Sequence, residues 1–277
     1  MMKKYEISGS VGGAGEGNLI PYERQNIILE QLEKTEVVSL SQLCEILKGT
    51  SESTVRRDLQ QLAKDGKIEV LRGGAARLVD GSFDTPVASR KVIHEHEKEL
   101  IAETAAALVR DGDVIYLDVG TTTIRMVKYL KKKKVRIVTT DARIVSEIMG
   151  TNLDCVLVGG DIIKETASLV GPMTDNVLKT LFFNKAFIGA FGFDVESGYN
   201  CPDFREYNKK KIVQANSKEV YVLADSSKEG KRSMCKFYGL DECILITDAE
   251  SEFVRKNTKY IIAGKGEVKN VDKSVRP

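Results

Sequence analysis

The chain of 277 residues has no tryptophan, five prolines and only two histidines. His94 and His96 stand two apart in "VIHEHEKEL". At helical spacing they point to different faces, and no matching cluster of ligands accompanies them, so no metal site is read here. The five cysteines (Cys44, Cys155, Cys201, Cys235 and Cys243) are scattered, odd in number and free of C-x-x-C spacing. That argues against a disulfide framework or a zinc site and for a reducing cytoplasm. No apolar run approaches the ~18 residues of a membrane span. The early stretch "YEISGSVGGAGEGN" lacks an apolar segment, so it is not a secretory signal. Its glycines fit neither the phosphate-loop nor the dinucleotide-binding spacing, and no cofactor is implied.

What remains is 42% hydrophobic and 30% charged, the composition of a soluble globular chain. Its length suggests about two domains. With 42 basic and 40 acidic residues the net charge is only +2, so the distribution of charge must identify partners.

Residues 1–20 read as a flexible tail, and three helices and a hairpin follow over residues 21–78. The first helix runs from about Glu23 to Lys34. The second opens with Ser39 and Gln42 at capping-box spacing, and Leu40, Leu43 and Leu47 recur at helical period. Ser51 caps the third helix, which stops near Gly66. "KIEVLRGGAARL" then gives two extended runs joined by Gly73 and Gly74. This order is that of a winged helix-turn-helix. Residues 79–89 read as a linker. Over residues 90–264 a helix is followed by apolar, β-branched runs that alternate with helical or loop segments: "VIYLD", "VRIVTT", "DCVLVGG", "KAFIGAFGF", "EVYVLAD", "CILITD" and "YIIAG". Such alternation predicts an α/β domain with a mostly parallel sheet. Residues 265–277 read as a polar C-terminal tail.

In the third helix, "SESTVRRDLQQL", Val55, Leu59 and Leu62 fall on one side. Ser53, Arg57, Gln60 and Lys64 lie opposite, flanked by Thr54, Arg56 and Gln61. Hydroxyl, guanidinium and amide groups can hold phosphates and read base edges in a major groove. Residues 23–52 hold three basic and six acidic residues, whereas residues 53–77 hold six basic and three acidic. The third helix and hairpin thus form the basic side. Ser51, Ser53, Thr54, Arg56, Arg57, Gln60, Lys64, Arg72, Gly73 and Gly74 are the candidate DNA contacts. The competing reading is a solvated surface on which Arg56 and Arg57 pair with Glu52 or Asp58. The preceding helix pair and the Gly-Gly hairpin favour double-stranded operator DNA.

The string "ERQNIILEQLEK…VSLSQLCEIL…SESTVRRDLQQLAKDGKIEVLRGGAARL" resembles the N-terminal domain of the DeoR family of bacterial sugar-metabolism regulators. Gly49 and Thr50 depart from it, standing where the family tends to place an apolar residue.

In the second domain "VIYLDVGTTT" runs from a strand into Asp118, Gly120 and three threonines. Such a junction offers backbone N–H groups and hydroxyls to one anion, with phosphate the natural guest; a helix cap with spare hydroxyls is the alternative. Polar or glycine-rich ends also follow other strands, and they converge on the carboxyl edge of a parallel sheet. These motifs are similar to the effector domain of the same family, which resembles ribose-phosphate isomerase and glucosamine-phosphate deaminase folds. The resemblance implies a phosphorylated-sugar effector and no catalytic residues. Asp118, Gly120, Thr121, Thr122 and Thr123 hold its phosphate end; Thr140, Gly160, Glu206, Lys209 and Lys228 surround the sugar. "VTTDA" departs from the family's usual "VTNS", with Thr140 in place of an amide and Asp141 adding negative charge.

The resulting expectation is a cytoplasmic, homo-oligomeric repressor without membrane contact. The alternative is a sugar-phosphate isomerase or deaminase with an appended DNA-binding head. "KKKK" at residues 131–134 reads as solvated surface, its lysines offsetting the negative end of the preceding helix.

Overall fold

A computed structural model describes residues 19–35, 37–65, 67–78 and 93–271. The tail read over residues 1–20 falls almost entirely outside these, as does the linker read over 79–89. The chain divides into two compact units, one ending at Leu78 and the other beginning at Val79.

In the first unit α1 (Pro21–Lys34), α2 (Leu40–Ile46) and α3 (Glu52–Lys64) precede a hairpin of β1 (Ile68–Val70) and β2 (Ala76–Leu78). Proline at the first helical position starts α1, where its missing N–H costs nothing. The capping box of α2 forms: Ser39 Oγ accepts from the Gln42 N–H at 3.3 Å, and Gln42 Oε1 accepts from the Ser39 N–H at 2.9 Å. Ser51 caps α3 through the Thr54 N–H at 3.2 Å. Ile28, Leu32, Leu43, Leu47, Val55 and Leu62 are buried and close one core under the three helices. Val38, two residues before α2, exchanges backbone hydrogen bonds with Ala76 at 2.9 and 2.8 Å, an isolated bridge that ties the approach to α2 to the wing. The apolar residue replaced at Gly49 is not needed for this core. Leu47 already fills it, and Gly49 turns the chain with φ +87° in open space.

The second unit carries an eight-stranded sheet in the order β15-β14-β13-β11-β8-β3-β4-β5. Its seven parallel strands are β3 (Val114–Leu117), β4 (Arg136–Thr139), β5 (Asp154–Leu157), β8 (Phe183–Gly189), β11 (Ser217–Leu223), β13 (Ile244–Thr247) and β14 (Lys259–Ile262). They coincide with the seven apolar runs. Between them lie α4 (Glu95–Ala107), α5 (Met126–Leu130), α6 (Ile144–Ile148), α7 (Pro172–Leu178), α8 (Phe204–Ala215) and α9 (Glu252–Asn257). One apolar layer joins the sheet to α4, α5 and α6, and the other joins it to α7, α8 and α9. Two small antiparallel additions carry loops: the hairpin β6 (Asp161–Ile163) and β7 (Ser168–Val170), and the three-stranded β9 (Gly192–Asp194), β10 (Gly198–Cys201) and β12 (Cys235–Tyr238).

The tail reading of residues 265–277 needs correction. Val268 and Lys269 form β15, antiparallel to β14, because Lys269 reaches back to Glu250 at 3.3 Å and lies over the Tyr260 ring.

The chain lays β3, β4 and β5 outward in one direction, then returns to place β8 on the other side of β3. β11, β13 and β14 follow in the opposite direction. The crevice beyond the carboxyl ends of β3 and β8 is therefore the switch point, where open α/β sheets bind ligands.

Candidate functional site

In the first unit, Val55, Leu59 and Leu62 of α3 face inward. Asp58 joins them: Arg24 of α1 donates to its carboxylate from Nε at 2.7 Å and from Nη2 at 3.3 Å. This buried pair fixes the rotation of α3, so Asp58 takes no part in neutralising the outward arginines. Ser53, Arg57, Gln60 and Lys64 are all exposed on the opposite face. Arg57 has no ion-pair partner among the described residues. Arg56 does: its Nε and Nη2 donate to Glu52 Oε1 at 3.0 and 2.8 Å. The competing surface-pair reading therefore holds for one arginine of the two.

The hydroxyls of Ser51, Ser53 and Thr54 form a bonded cluster at the helix start. Across from it, the Gly74 N–H donates to Leu71 O at 3.0 Å, closing the wing turn. Gly73 sits at its third position with φ +89°, which suits glycine in a type II turn. Gly74 also has positive φ, and a Cβ there would lie 3.4 Å from Arg56 Nη1. Arg56 thus lies against the turn, with exposed Arg72 beside it. Arg77 is engaged with Glu69 at 2.7 Å.

In the second unit a polar pocket opens at the switch point. Gly120 to Thr123 line it after β3, Gly189 to Phe191 at and beyond the end of β8, and Asp225 with Lys228 after β11. Glu206 and Lys210 of α8, Lys98 of α4 and Thr166 between β6 and β7 complete the wall. The loop of Gly120, Thr121 and Thr122 supplies backbone N–H groups that donate to no protein acceptor among the described residues. The hydroxyls of Thr121 and Thr122 are likewise uncommitted. Thr123 differs: its fully buried hydroxyl donates to Asp118 O at 2.7 Å and Gly120 O at 3.2 Å, holding the loop's shape.

Behind the loop lies a buried ionic cluster. Asp118 is 1% exposed, and its Oδ2 accepts from Lys210 Nζ and from the Gly189 N–H at 3.1 Å. Its Oδ1 is buried without a hydrogen-bond partner. Lys210 Nζ also donates to Gly189 O at 3.0 Å. Burial opposes the charge on Lys210, but Asp118 and Glu206 outweigh it and raise its pKa. Burial likewise opposes ionisation of Glu206; Lys209, Lys210 and the Ser168 hydroxyl overcome this and hold it below the usual carboxylate range. Asp225 is also held low against burial, chiefly by Lys228, with Ser227, Lys98 and His94 assisting.

Of the ten residues marked for the effector, the structure brings Gly120, Thr121, Thr122, Thr123, Glu206 and Lys228 to the pocket wall. Asp118 stands behind it. Lys209 is fully buried and touches the pocket only through Glu206, to which it donates at 3.1 Å, while Ser168 Oγ accepts from it at 2.8 Å. Thr140 and Gly160 do not line it. The Thr140 hydroxyl is paired with the Tyr116 hydroxyl at 3.0 Å. Gly160 serves packing, since a Cβ there would come within 2.5 Å of Val170 O. The extra charge of Asp141 is absorbed locally, because Arg143 Nε donates to it at 2.7 Å. Sequence reasoning missed Lys98, Thr166 and Lys210. Lys210 was signalled by the run "NKKKI" and Thr166 by nothing local.

The lysine run at residues 131–134 is three parts surface and one part cap. Lys133 donates to Ala106 O at 2.8 Å and to Val109 O, closing the end of α4 rather than of the helix it follows. Among the described residues no group of three or more His, Cys, Asp or Glu can hold a metal ion. No helix among them is long and apolar enough to cross a membrane.

A winged helix with a basic outward face, joined in one chain to an α/β domain with a polar pocket, defines a transcription regulator with a DNA-binding head and a sensor domain. The model of the DeoR-like helix-turn-helix domain matches residues 24–79, and that of the DeoR C terminal sensor domain matches residues 93–249. The chain belongs to the DeoR family. It is 36% identical over 230 residues to the HTH-type transcriptional regulator FruR of Bacillus subtilis, covering 82% of this chain and 91% of that protein. The regulator GlpR of Haloferax volcanii is 31% identical over 232 residues, with 83% and 91% covered. The lactose phosphotransferase system repressor of Streptococcus mutans is 31% identical over 246 residues, with 86% and 96% covered. Among solved structures, ribose 5-phosphate isomerase A of Methanocaldococcus jannaschii matches at 23% identity and TM-score 0.37, over 49% of this chain and 55% of that one. Translation initiation factor eIF-2B of Pyrococcus horikoshii matches at 13% and 0.41, over 76% and 72%. At these scores neither likeness bears on function.

Proposed function

We propose that the chain is a sequence-specific repressor of sugar-metabolism genes, working in the cytoplasm as a homo-oligomer, and that a phosphorylated sugar in the sensor pocket controls its hold on operator DNA. The observation that carries this reading is the loop of Gly120 to Thr122. Its free N–H groups and two free hydroxyls face the same pocket as Lys210 and Glu206. An anionic end and a polyhydroxylated end are what such a pocket accepts. For the ligand to switch DNA binding, it must bind the two arrangements of the protein with different affinity. In the head, Arg57, Gln60, Lys64 and Arg72 are the contacts to DNA, with Arg56 positioned by Glu52, and the hydroxyls of Ser51, Ser53 and Thr54 and the wing backbone at Gly73 and Gly74 approach phosphates.

The pocket binds its guest without turnover on this reading. A general acid or base works best with a pKa near the operating pH. Glu206 is pushed down and Lys210 up, both away from neutrality. Thermal shift of the full chain with a panel of sugar phosphates, their parent sugars and inorganic phosphate tests the proposal. Stabilisation by a sugar phosphate above both controls, together with a change in operator affinity, is the expected result. Detected isomerisation or deamination of a panel member favours the enzyme alternative. Silence across the panel rejects the effector class.

A further inference from the structure

Lys98 is a wall residue that burial and position both disfavour. It is 4% exposed and ends the first turn of α4, where the helix dipole favours anions over cations. Its bonds show what it does there. Lys98 Nζ donates to Ile93 O at 2.5 Å, and its backbone N–H donates to His94 O at 3.1 Å. These two carbonyls belong to the peptide groups on either side of the His94 α-carbon, so one lysine fixes the rotation of both. His94 needs such a grip. It precedes α4 with φ +51° and ψ 45°, in the left-handed region. A residue with a Cβ is strained there and stays only where its surroundings enforce it.

The same lysine faces the guest. It lines the pocket together with Gly120 to Thr123, and Arg125, two residues beyond, ties the start of α4 to this loop by bonding Glu95 at 3.0 Å and Glu99 at 3.1 Å. Asp225, also on the wall, is within electrostatic reach of both Lys98 and His94. Ile93 is the first described residue after the stretch that leads back to the head, whose unit ends at Leu78. A rotation at His94 therefore redirects the chain on its way to the head.

We propose that Lys98 is the positioning residue through which the guest reaches the head. In one arrangement its ammonium holds His94 left-handed, as described; in the other it turns to the anionic group of the guest, and His94 relaxes. The inference rests on the regulator reading for its guest and its purpose. The exchange favours the guest, because a hydrogen bond between two charged groups is stronger than one to a neutral carbonyl. The two arrangements offer the guest different contacts, so it binds them with different affinity and shifts the balance between them. By linkage, operator DNA bound to the held arrangement opposes the guest to the same degree.

His94→Gly and His94→Val in the full chain test this, since both remove the imidazole and His94 is not on the pocket wall. Glycine accepts the left-handed conformation and valine resists it. Operator affinity is read by fluorescence anisotropy without phosphate, and affinity for inorganic phosphate by calorimetric titration without DNA. Each affinity scales with the population of its own arrangement, so their ratio carries the full change wherever the balance lies. The ratio of operator to phosphate affinity is expected on the order of tenfold lower in His94→Val than in His94→Gly. Should His94→Val fail to fold by circular dichroism, His94→Ala replaces it, with a smaller shift of the same sign. At constant ionic strength, saturating phosphate is expected to weaken operator binding by wild type and to leave that of Lys98→Met unmoved. Equal ratios in the two His94 variants, phosphate bound to wild type without effect on the operator, or a Lys98→Met that still responds overturns the proposal. A wild type that binds neither phosphate nor any sugar phosphate fails the effector reading instead. The lever at His94 then stands or falls on whether operator affinity alone separates glycine from valine.

Discussion

Lys210→Met is the substitution that asks most of the described pocket. The ammonium is removed from between Asp118 and Glu206, and the methionine keeps the length and apolar stem of the side chain. Asp118 then keeps only the Gly189 N–H at 3.1 Å, with its other oxygen already unpartnered. Glu206 keeps Lys209 at 3.1 Å and Ser168. Breaking a buried pair by deleting one partner costs about 3–5 kcal/mol, most of it the burden of the charge left behind. A domain of this size loses about 2–4 °C of Tm per kcal/mol, so the sensor transition should fall by roughly 6–20 °C. Differential scanning calorimetry of the full chain reads this, with the sensor transition identified as the one unaffected by Asp58→Ala in the head. Adding Asp118→Asn to Lys210→Met removes the stranded charge, so the double variant should melt above the single one. A single variant melting within about 1 kcal/mol of wild type would refute a buried ion pair at this position.

In fluorescence anisotropy with an operator fragment, Arg57→Ala should weaken binding by about 1–3 kcal/mol, roughly 5- to 150-fold, while leaving the sensor transition in place. Equal affinity would remove Arg57 from the interface. Thr166→Val should lower affinity for the stabilising sugar phosphate by roughly tenfold, the worth of one hydrogen bond of ~1 kcal/mol or more, without lowering the melting temperature of the free protein, because its hydroxyl has no partner to lose. Unchanged affinity in calorimetric titration would take Thr166 out of the ligand's reach. Glu206 and Asp225 are both held below their ordinary pKa values of 4.5 and 3.8. Their stabilisation is therefore complete above those values and is lost as pH falls through the lower folded ones. Urea midpoints of the sensor domain should be flat from neutrality down to about pH 5 and drop steeply below pH 4; a decline beginning near pH 6 would contradict the assigned direction.

Most of the architecture could be read from local pattern, because the signals themselves are local. Each parallel strand appears as an apolar, β-branched run, most of them buried on both faces with the edge strand β5 the exception, and the capping serines of α2 and α3 act within three residues of themselves. The strands that went unread are the short antiparallel pieces β6, β7, β9, β10, β12 and β15, two to four residues each, which pair through contacts their own sequence does not encode. The outward face of α3 was legible to the level of the helix turn. The division of labour within it was not, since Arg56 and Arg57 differ only in whether Glu52, one turn back, can reach them.

The pocket was legible in its loop and opaque in its floor. "VGTTT" carries its own chemistry. In "NKKKI", by contrast, Lys209 turns into the core behind Glu206, Lys210 reaches Asp118, 92 residues earlier in the chain, and Lys211 stays beside Gln214. A run of lysines on a helix ordinarily covers a solvated face, so no periodicity rule sends two of the three inside. Stability gives no reason for them to be there, because well-packed apolar residues in place of a buried ion pair are often neutral or better. On the proposed function, Lys98, Lys210 and Lys228 with Glu206 and Asp225 at the pocket wall suit a guest that is both charged and rich in hydroxyls, with Lys209 and Asp118 holding that wall from behind. That is the physical reason to look for the effector at this floor, and to expect that substitutions there will cost stability and ligand affinity together.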